Sequence, residues 1–269
     1  MTISGFLILL IAVTASLCAI MGVAWLVWRR TRNSGWIDTF WTFGVGLTGC
    51  VGALTASVMS HPMRPLLVMS LAAIWSLRLG VHIARRTMRI NDDPRYAALI
   101  RQWGSAASRK MFLLAQKQAI VSLPLAASIV VAAFNPVPEF RAQDWAAIGI
   151  LIIAIGGEAV ADHQLWRFRQ NPANRNGVCT IGLWNWSRHP NYFFEWLGWC
   201  AYPLIAIDVH GAYPGGFFAL AAPICMYWLL VYVSGIPPLE AHMLERRPEE
   251  FRAYQARTSS FFPAPPRRA

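Results

Sequence analysis

Residues 145–165 read WAAIGILIIAIGGEAVADHQL, an apolar run of membrane-crossing length that carries Glu158 and Asp162 one helical turn apart. A charge at the bilayer centre costs roughly 2.5–3.5 kcal/mol, so acids inside such a run usually serve a pathway or a site. Six more apolar stretches accompany it, at residues 3–28, 37–58, 65–84, 111–134, 192–207 and 215–233. Most hold about 20 residues, the length a helix needs to cross a hydrocarbon core of about 30 Å. The stretch 192–207 is the weakest, shortened by Pro203 and closed by Asp208. Residues are 56% hydrophobic and 14% charged, too apolar for an ordinary soluble domain. The pattern predicts an all-α polytopic membrane protein of seven transmembrane helices, one membrane domain over residues 1–269, enclosing a polar chamber.

The net charge of +11 would suit nucleic acid, but its distribution argues against that partner. Three arginines follow the first span, seven basic residues lie in 85–110, four in 167–190 and six in the tail. Twenty of the 24 Lys and Arg therefore sit on one alternate set of connections. Arg64 and Arg141 stand on the other set, and Arg78 and Lys117 inside spans. By the positive-inside rule the N-terminus is outside and the tail cytoplasmic. The first span has no basic leader and is followed by Arg29-Arg30, which predicts a retained helix and not a cleaved signal peptide. Four of the five cysteines fall in spans and no Cys or His pair has zinc-site spacing, so neither a disulfide framework nor a metal is expected.

Gly44-Val45-Gly46-Leu47-Thr48-Gly49 satisfies the dinucleotide-binding glycine pattern, but inside an apolar span it predicts close helix approach instead. Chemistry is denser elsewhere. In Ser187-Arg188-His189-Pro190-Asn191-Tyr192-Phe193-Phe194-Glu195-Trp196, Arg188 offers donors suited to phosphate, and Asn191, Glu195 and Trp199 share one helix face. A helix cap with a snorkelling arginine is the plainer alternative. Glu158 and Asp162 repel unless donors lie beside them, and Arg169 can approach their face. Asp38, among Trp36, Phe40 and Trp41, reads either as a site acid or as an interfacial charge. Arg78 and His82 share a face of the third span, with Arg78 nearly two turns from its end. The piece 95–103 reads as a short amphipathic helix and 239–256 as a helical tail.

The elements Glu158…Asp162-x-Gln164 and Gly182-Leu183-Trp184…Ser187-Arg188-His189-Pro190-Asn191-Tyr192 resemble the bacterial branch of the steroid 5α-reductase family. The tail agrees through Ser234-Gly235-Ile236-Pro237…Glu240…Tyr254-Gln255-x-Arg257-Thr258. The resemblance implies an oxidoreductase of the bacterial inner membrane that reduces a C=C bond conjugated to a ketone, using NADPH bound on the cytoplasmic side. It implies that residues 1–134 shape a pocket for a lipophilic substrate, such as a 3-oxo-Δ4 steroid, entering from the bilayer among membrane lipids. Residues 135–269 would hold the cofactor. Cofactor-binding positions would be Arg78, Glu158, Asp162, Arg169, Arg188, His189, Asn191, Tyr192, Glu195, Glu240, Tyr254 and Arg257. Asp38 falls where the family has a glutamate that binds the substrate ketone, which makes it the expected catalytic acid, with Trp41 and Trp75 beside the substrate. Ile37 stands where a glutamine is expected, and Trp75 where a tyrosine is expected. An indole donates a hydrogen bond but delivers no proton as a phenol does.

Two other readings share some of these features. A membrane methyltransferase resembling the isoprenylcysteine carboxyl methyltransferases also uses an Arg-His-Pro-x-Tyr segment, but carries adjacent glutamates in its tail where Ala241 follows Glu240 here. A lipid transporter or lipid-binding module would explain buried charges without explaining the polar connections.

Overall fold

The computed structural model describes residues 3–59, 63–174 and 177–267, and all regular structure among them is helical. The helices are α1 (Ile3–Thr31), α2 (Gly35–Met59), α3 (Met63–Thr87), α4 (Pro94–Trp103), α5 (Ala107–Val121), α6 (Leu123–Ala133), α7 (Ala142–Gln170), α8 (Pro190–Trp199), α9 (Ala201–Ala206), α10 (Ala221–Trp228), α11 (Ile236–Arg246) and α12 (Pro248–Arg257). Among the described residues, six helical segments are long and apolar enough to cross a membrane: Ser4–Thr31, Gly35–Val58, Met63–Thr87, Tyr96–Ala133, Ala142–Gln170 and Pro214–Arg246.

The chain forms two compact units. The first comprises Met1–Trp145 and Tyr202–Ala222, the second Ala146–Ala201 and Pro223–Ala269. In the first, α2 packs on α1, α3 and α6, and α1 packs along α5. The glycine run of α2 does what small residues do between membrane helices: a Cβ on Gly46 would run into Ser76, and one on Gly49 would lie 2.6 Å from Ile129 Cδ1. Thr39, Thr42 and Thr48 each return a hydroxyl to the carbonyl four residues back, so these donors are met within an apolar helix. At the far end, Arg64 and Arg141 bind the fully buried Asp144, and Arg141 and Asn135 also reach the carbonyl of Ile205. These bonds tie the segment 202–222 to the first unit.

Several expected helices are subdivided. The fourth apolar stretch is α5 and α6 joined at Ser122, whose hydroxyl bonds Gln118 O while Pro124 lacks an N–H to continue the ladder. The stretch 192–207 is two short helices, α8 and α9, parted at Cys200. The seventh opens with a 3-10 turn (Pro214–Leu220), continues as α10 and ends in a π-helical turn (Leu229–Val233). The expected tail helix breaks at Arg247, because Pro248 starts a new one. The amphipathic piece near 95–103 is α4.

Candidate functional site

The first unit gathers a polar set around Asp38. The helix α2 starts where Asn33 accepts the Gly35 N–H at 3.1 Å and donates to the carbonyls of Thr87 and Ile90. Asp92 accepts from Ser34, and Asp93 holds Arg86, so the connection after α3 is fixed against the start of α2. That connection delivers α4, and with it Tyr96. The Tyr96 hydroxyl donates to Asp38 Oδ1 at 2.7 Å, and Gln118 Nε2 of α5 donates to Tyr96 Oη at 2.9 Å. Gln118 Oε1 is buried and has no partner among the described residues. The Trp41 indole N–H donates to Ser122 Oγ, so that donor is already engaged. Trp75 is buried in α3, and Arg78 lies in the same unit as Asp38.

Tyr96 and Gln118 escaped the sequence reading. A usable signal was present: Tyr96 is the sole tyrosine before Tyr192. The phenol that meets Asp38 belongs to α4, beyond the third span.

The second unit builds a node around Glu240. Arg188 donates through Nε to Glu240 Oε1 at 2.8 Å and through Nη2 to Oε2 at 3.3 Å. Its Nη1 serves the carbonyls of Thr258 at 2.5 Å and Gln255 at 3.4 Å. Gln255 Nε2 donates to Glu240 Oε2 at 2.7 Å, and His189 Nε2 lies 3.0 Å from Oε1. The backbone N–H of Arg188 also bonds Ser259 O at 2.8 Å, where Ser187 and Ser259 run side by side. Every guanidinium nitrogen of Arg188 thus has a protein partner, and the residue docks the tail onto the segment before α8.

His189 is buried, and burial holds its imidazole below the usual value, outweighing the opposing pull of Glu240. The neutral ring gives its Nε2 hydrogen to the Glu240 carboxylate, which leaves Nδ1 as an acceptor. Nδ1 is buried with no partner among the described residues. Tyr192 stacks on the ring at 5.5 Å. Burial pushes the Tyr254 phenol up, and its hydroxyl donates to Trp184 O, while the Trp184 indole donates to Ala161 O of α7 at 2.9 Å.

The Asp162-x-Gln164 element serves two purposes. Asn191 Nδ2 donates to Asp162 Oδ1 at 3.4 Å, joining two of the expected cofactor positions. Gln164 Oε1 accepts the Leu183 N–H at 2.9 Å and presses on Gly182, whose φ of +56° and lack of a side chain admit the turn. Glu158 and Glu195 are both buried, on α7 and α8, and Glu195 Oε1 accepts the Trp199 indole N–H at 2.9 Å. Gly157 lets Phe194 press against α7 beside Glu158. Arg169 and Arg257 are exposed.

These observations define an all-helical membrane protein with an acid–phenol pair in one compact unit and an Arg–His–Glu node in the other. The chain belongs to the DUF1295 family, described as a protein of unknown function, whose profile matches residues 24–258. It is 24% identical over 276 residues to an uncharacterized protein of Schizosaccharomyces pombe, an alignment covering 90% of this chain and 76% of that one. No solved structure matches.

Proposed function

We propose that this chain is an NADPH-dependent reductase of a C=C bond conjugated to a ketone in a lipophilic substrate, of the 3-oxo-Δ4 steroid or sterol-like class. The observation that carries the reading is the line Gln118 to Tyr96 to Asp38. Enone reduction places negative charge on the ketone oxygen, and the resulting enolate then takes a proton from water at the α-carbon. Hydrogen-bond donors fixed in an apolar setting stabilise such an enolate. Gln118 orients the Tyr96 phenol, Tyr96 holds Asp38, and the Asp38 carboxyl with its phenol partner binds the ketone oxygen. A fixed acid–phenol pair has little use at a plain helix start.

The donor set of the second unit fits a nicotinamide dinucleotide. His189 Nδ1 is a buried acceptor without a partner among the described residues, suited to an amide or hydroxyl hydrogen, and exposed Arg169 and Arg257 suit phosphates. When bound, NADPH supplies the hydride for the β-carbon. Asp162, Asn191, Tyr192 and His189 would orient it, and Glu158 and Glu195 would line its helices. Arg188, Glu240 and Tyr254 act as positioning residues that keep the tail docked.

The proposed topology has seven crossings, with the N-terminus outside and the tail in the cytoplasm. Two observations support it. The 20 clustered basic residues favour alternate sides for successive connections. The segment before α8 is bonded directly to the tail, which favours an even number of crossings between Arg188 and Glu240. With Pro214–Arg246 as one crossing, α8 and α9 together provide the other. Residues 190–206 number 17, at the short end of the spanning range of about 17–25 residues.

The test is cofactor binding and turnover by the purified chain in detergent. NADPH oxidation with a 3-oxo-Δ4 steroid should depend on both substrates, and Arg169→Ala and Arg257→Ala should each raise the NADPH KM about tenfold, a typical cost of one charged hydrogen bond. Binding of S-adenosylmethionine with no NADPH binding would replace this reading with the methyltransferase.

A further inference from the structure

Opposite the acidic face of α7 lies a cleft that the proposed reaction does not use. At about 100° per residue, Glu158, Asp162 and Arg169 share one side of the helix. Val160, His163, Gln164 and Arg167 occupy the other, with Asn171 just past the helix end. There a cleft of about 650 Å³ is lined by Val160, His163, Gln164, Arg167, Phe168 and Ile181 among others, and no Asp or Glu is among its lining residues. Its volume lies within the range of small-molecule sites, about 300–1,000 Å³.

The chain after α7 makes the walls. Asn174 Nδ2 donates to Phe168 O at 3.1 Å, and the Leu183 N–H donates to Gln164 Oε1 at 2.9 Å, so the chain folds back past the helix end. Ile181 is brought to the rim, exposed, opposite Val160. Along the same side of α7 towards its N-terminus, Ile152, Ile153 and Val160 form an exposed apolar track. From Ile152 to Arg167 the helix rises about 22 Å. Trp166, half exposed and stacked on His163 at 5.7 Å, stands where interfacial aromatics stand at the end of a span.

We propose that this cleft binds one phospholipid with a net negative headgroup. Arg167 meets the phosphate, with His163 and the polar groups of Gln164, Asn171 and Asn174 as hydrogen-bonding partners. An acyl chain follows the apolar track. A snorkelling arginine on a lipid-facing helix explains the charge and the track, but it needs no walls and makes no cleft. The headgroup is anionic because the lining holds a cation and no acid to balance it. The site is independent of the reductase reading.

Native mass spectrometry of the full chain in detergent, with dioleoyl phosphatidylglycerol and dioleoyl phosphatidylcholine at equal concentration, tests the assignment. One phosphatidylglycerol should be retained in preference to phosphatidylcholine. Arg167→Gln should weaken it about fivefold, the effect of one basic residue near an anionic surface. Arg167→Lys should retain it, and because Arg167 is exposed both variants should melt as the parent does. Equal retention of the two lipids, or undiminished binding in Arg167→Gln, overturns the proposal. So does complete displacement by millimolar inorganic phosphate, which would identify a free-phosphate site.

Discussion

Replacing Tyr96 by Phe removes one oxygen and separates stability from chemistry. The hydroxyl makes two hydrogen bonds, one given to Asp38 at 2.7 Å and one received from Gln118 at 2.9 Å. Its loss leaves Gln118 Nε2 without that acceptor, while Oε1 already lacks a donor, at a cost of about 1–3 kcal/mol. A melting measurement in detergent should register that loss. Turnover should fall further, by about 10²–10⁴, the usual contribution of a positioned acid. The double variant Tyr96→Phe with Gln118→Leu removes both polar partners, which is nearly neutral when shapes are kept. It should regain most of the stability and none of the activity. NADPH oxidation with a 3-oxo-Δ4 steroid, read as kcat and KM at matched folded fraction, is the assay. If either variant kept kcat within about threefold of the parent, a span too small for a lost acid contribution, Tyr96 would be a structural tyrosine and the acid–phenol argument would fail.

Asp38→Asn keeps a donor without acidity, so substrate binding should survive while most turnover is lost; Asp38→Leu should lose both, and full activity in the leucine variant would leave Asp38 an interfacial charge. Glu240→Ala strands Arg188 and His189, whose side chains are 11% and 4% exposed, and should cost about 3 kcal/mol, towards the low end for a broken buried pair; an unchanged melting temperature would refute that. His189 is held below its ordinary value of 6.5, so the unfolded chain takes up the proton first as pH falls. Its contribution is complete above about pH 6.5 and declines below it, so the fall in melting temperature from pH 8 to pH 5 should shrink in His189→Phe, and an identical fall would count against it. A reporter fused after Ala269 that is active only when exported should stay silent, and activity there would reverse the topology.

What the sequence made legible follows physical range. Apolar length read directly, because membrane insertion acts on local composition. The glycine run of α2 was legible for the same reason, since small residues inside an apolar helix have one main use. The pairing of Asp38 with Tyr96 was not, because 58 residues separate the partners. Their meeting depends on the lock that Asn33, Asp92 and Asp93 place on the connection after α3. That lock uses ordinary turn residues, whose long-range role no local pattern reveals.

The second unit gives Arg188 a setting that its motif did not foretell. Arg188 drew attention as a phosphate ligand because its neighbours are polar and its segment is distinctive. The structure engages its guanidinium with Glu240 and two tail carbonyls, and engages Gln164 with the turn at Gly182. A sequence motif preserves whatever the site needs, and a site assembled from segments 50 residues and more apart needs docking contacts as much as ligand contacts. The residue left with an open valence is the unobtrusive one: His189, tied at Nε2 by the carboxylate that also holds Arg188, keeps a buried acceptor at Nδ1. A buried acceptor without a donor costs about 1–3 kcal/mol. A fold that keeps one beside a stacked tyrosine, at the cap of a helix, has the most direct reason to do so if a ligand hydrogen completes it.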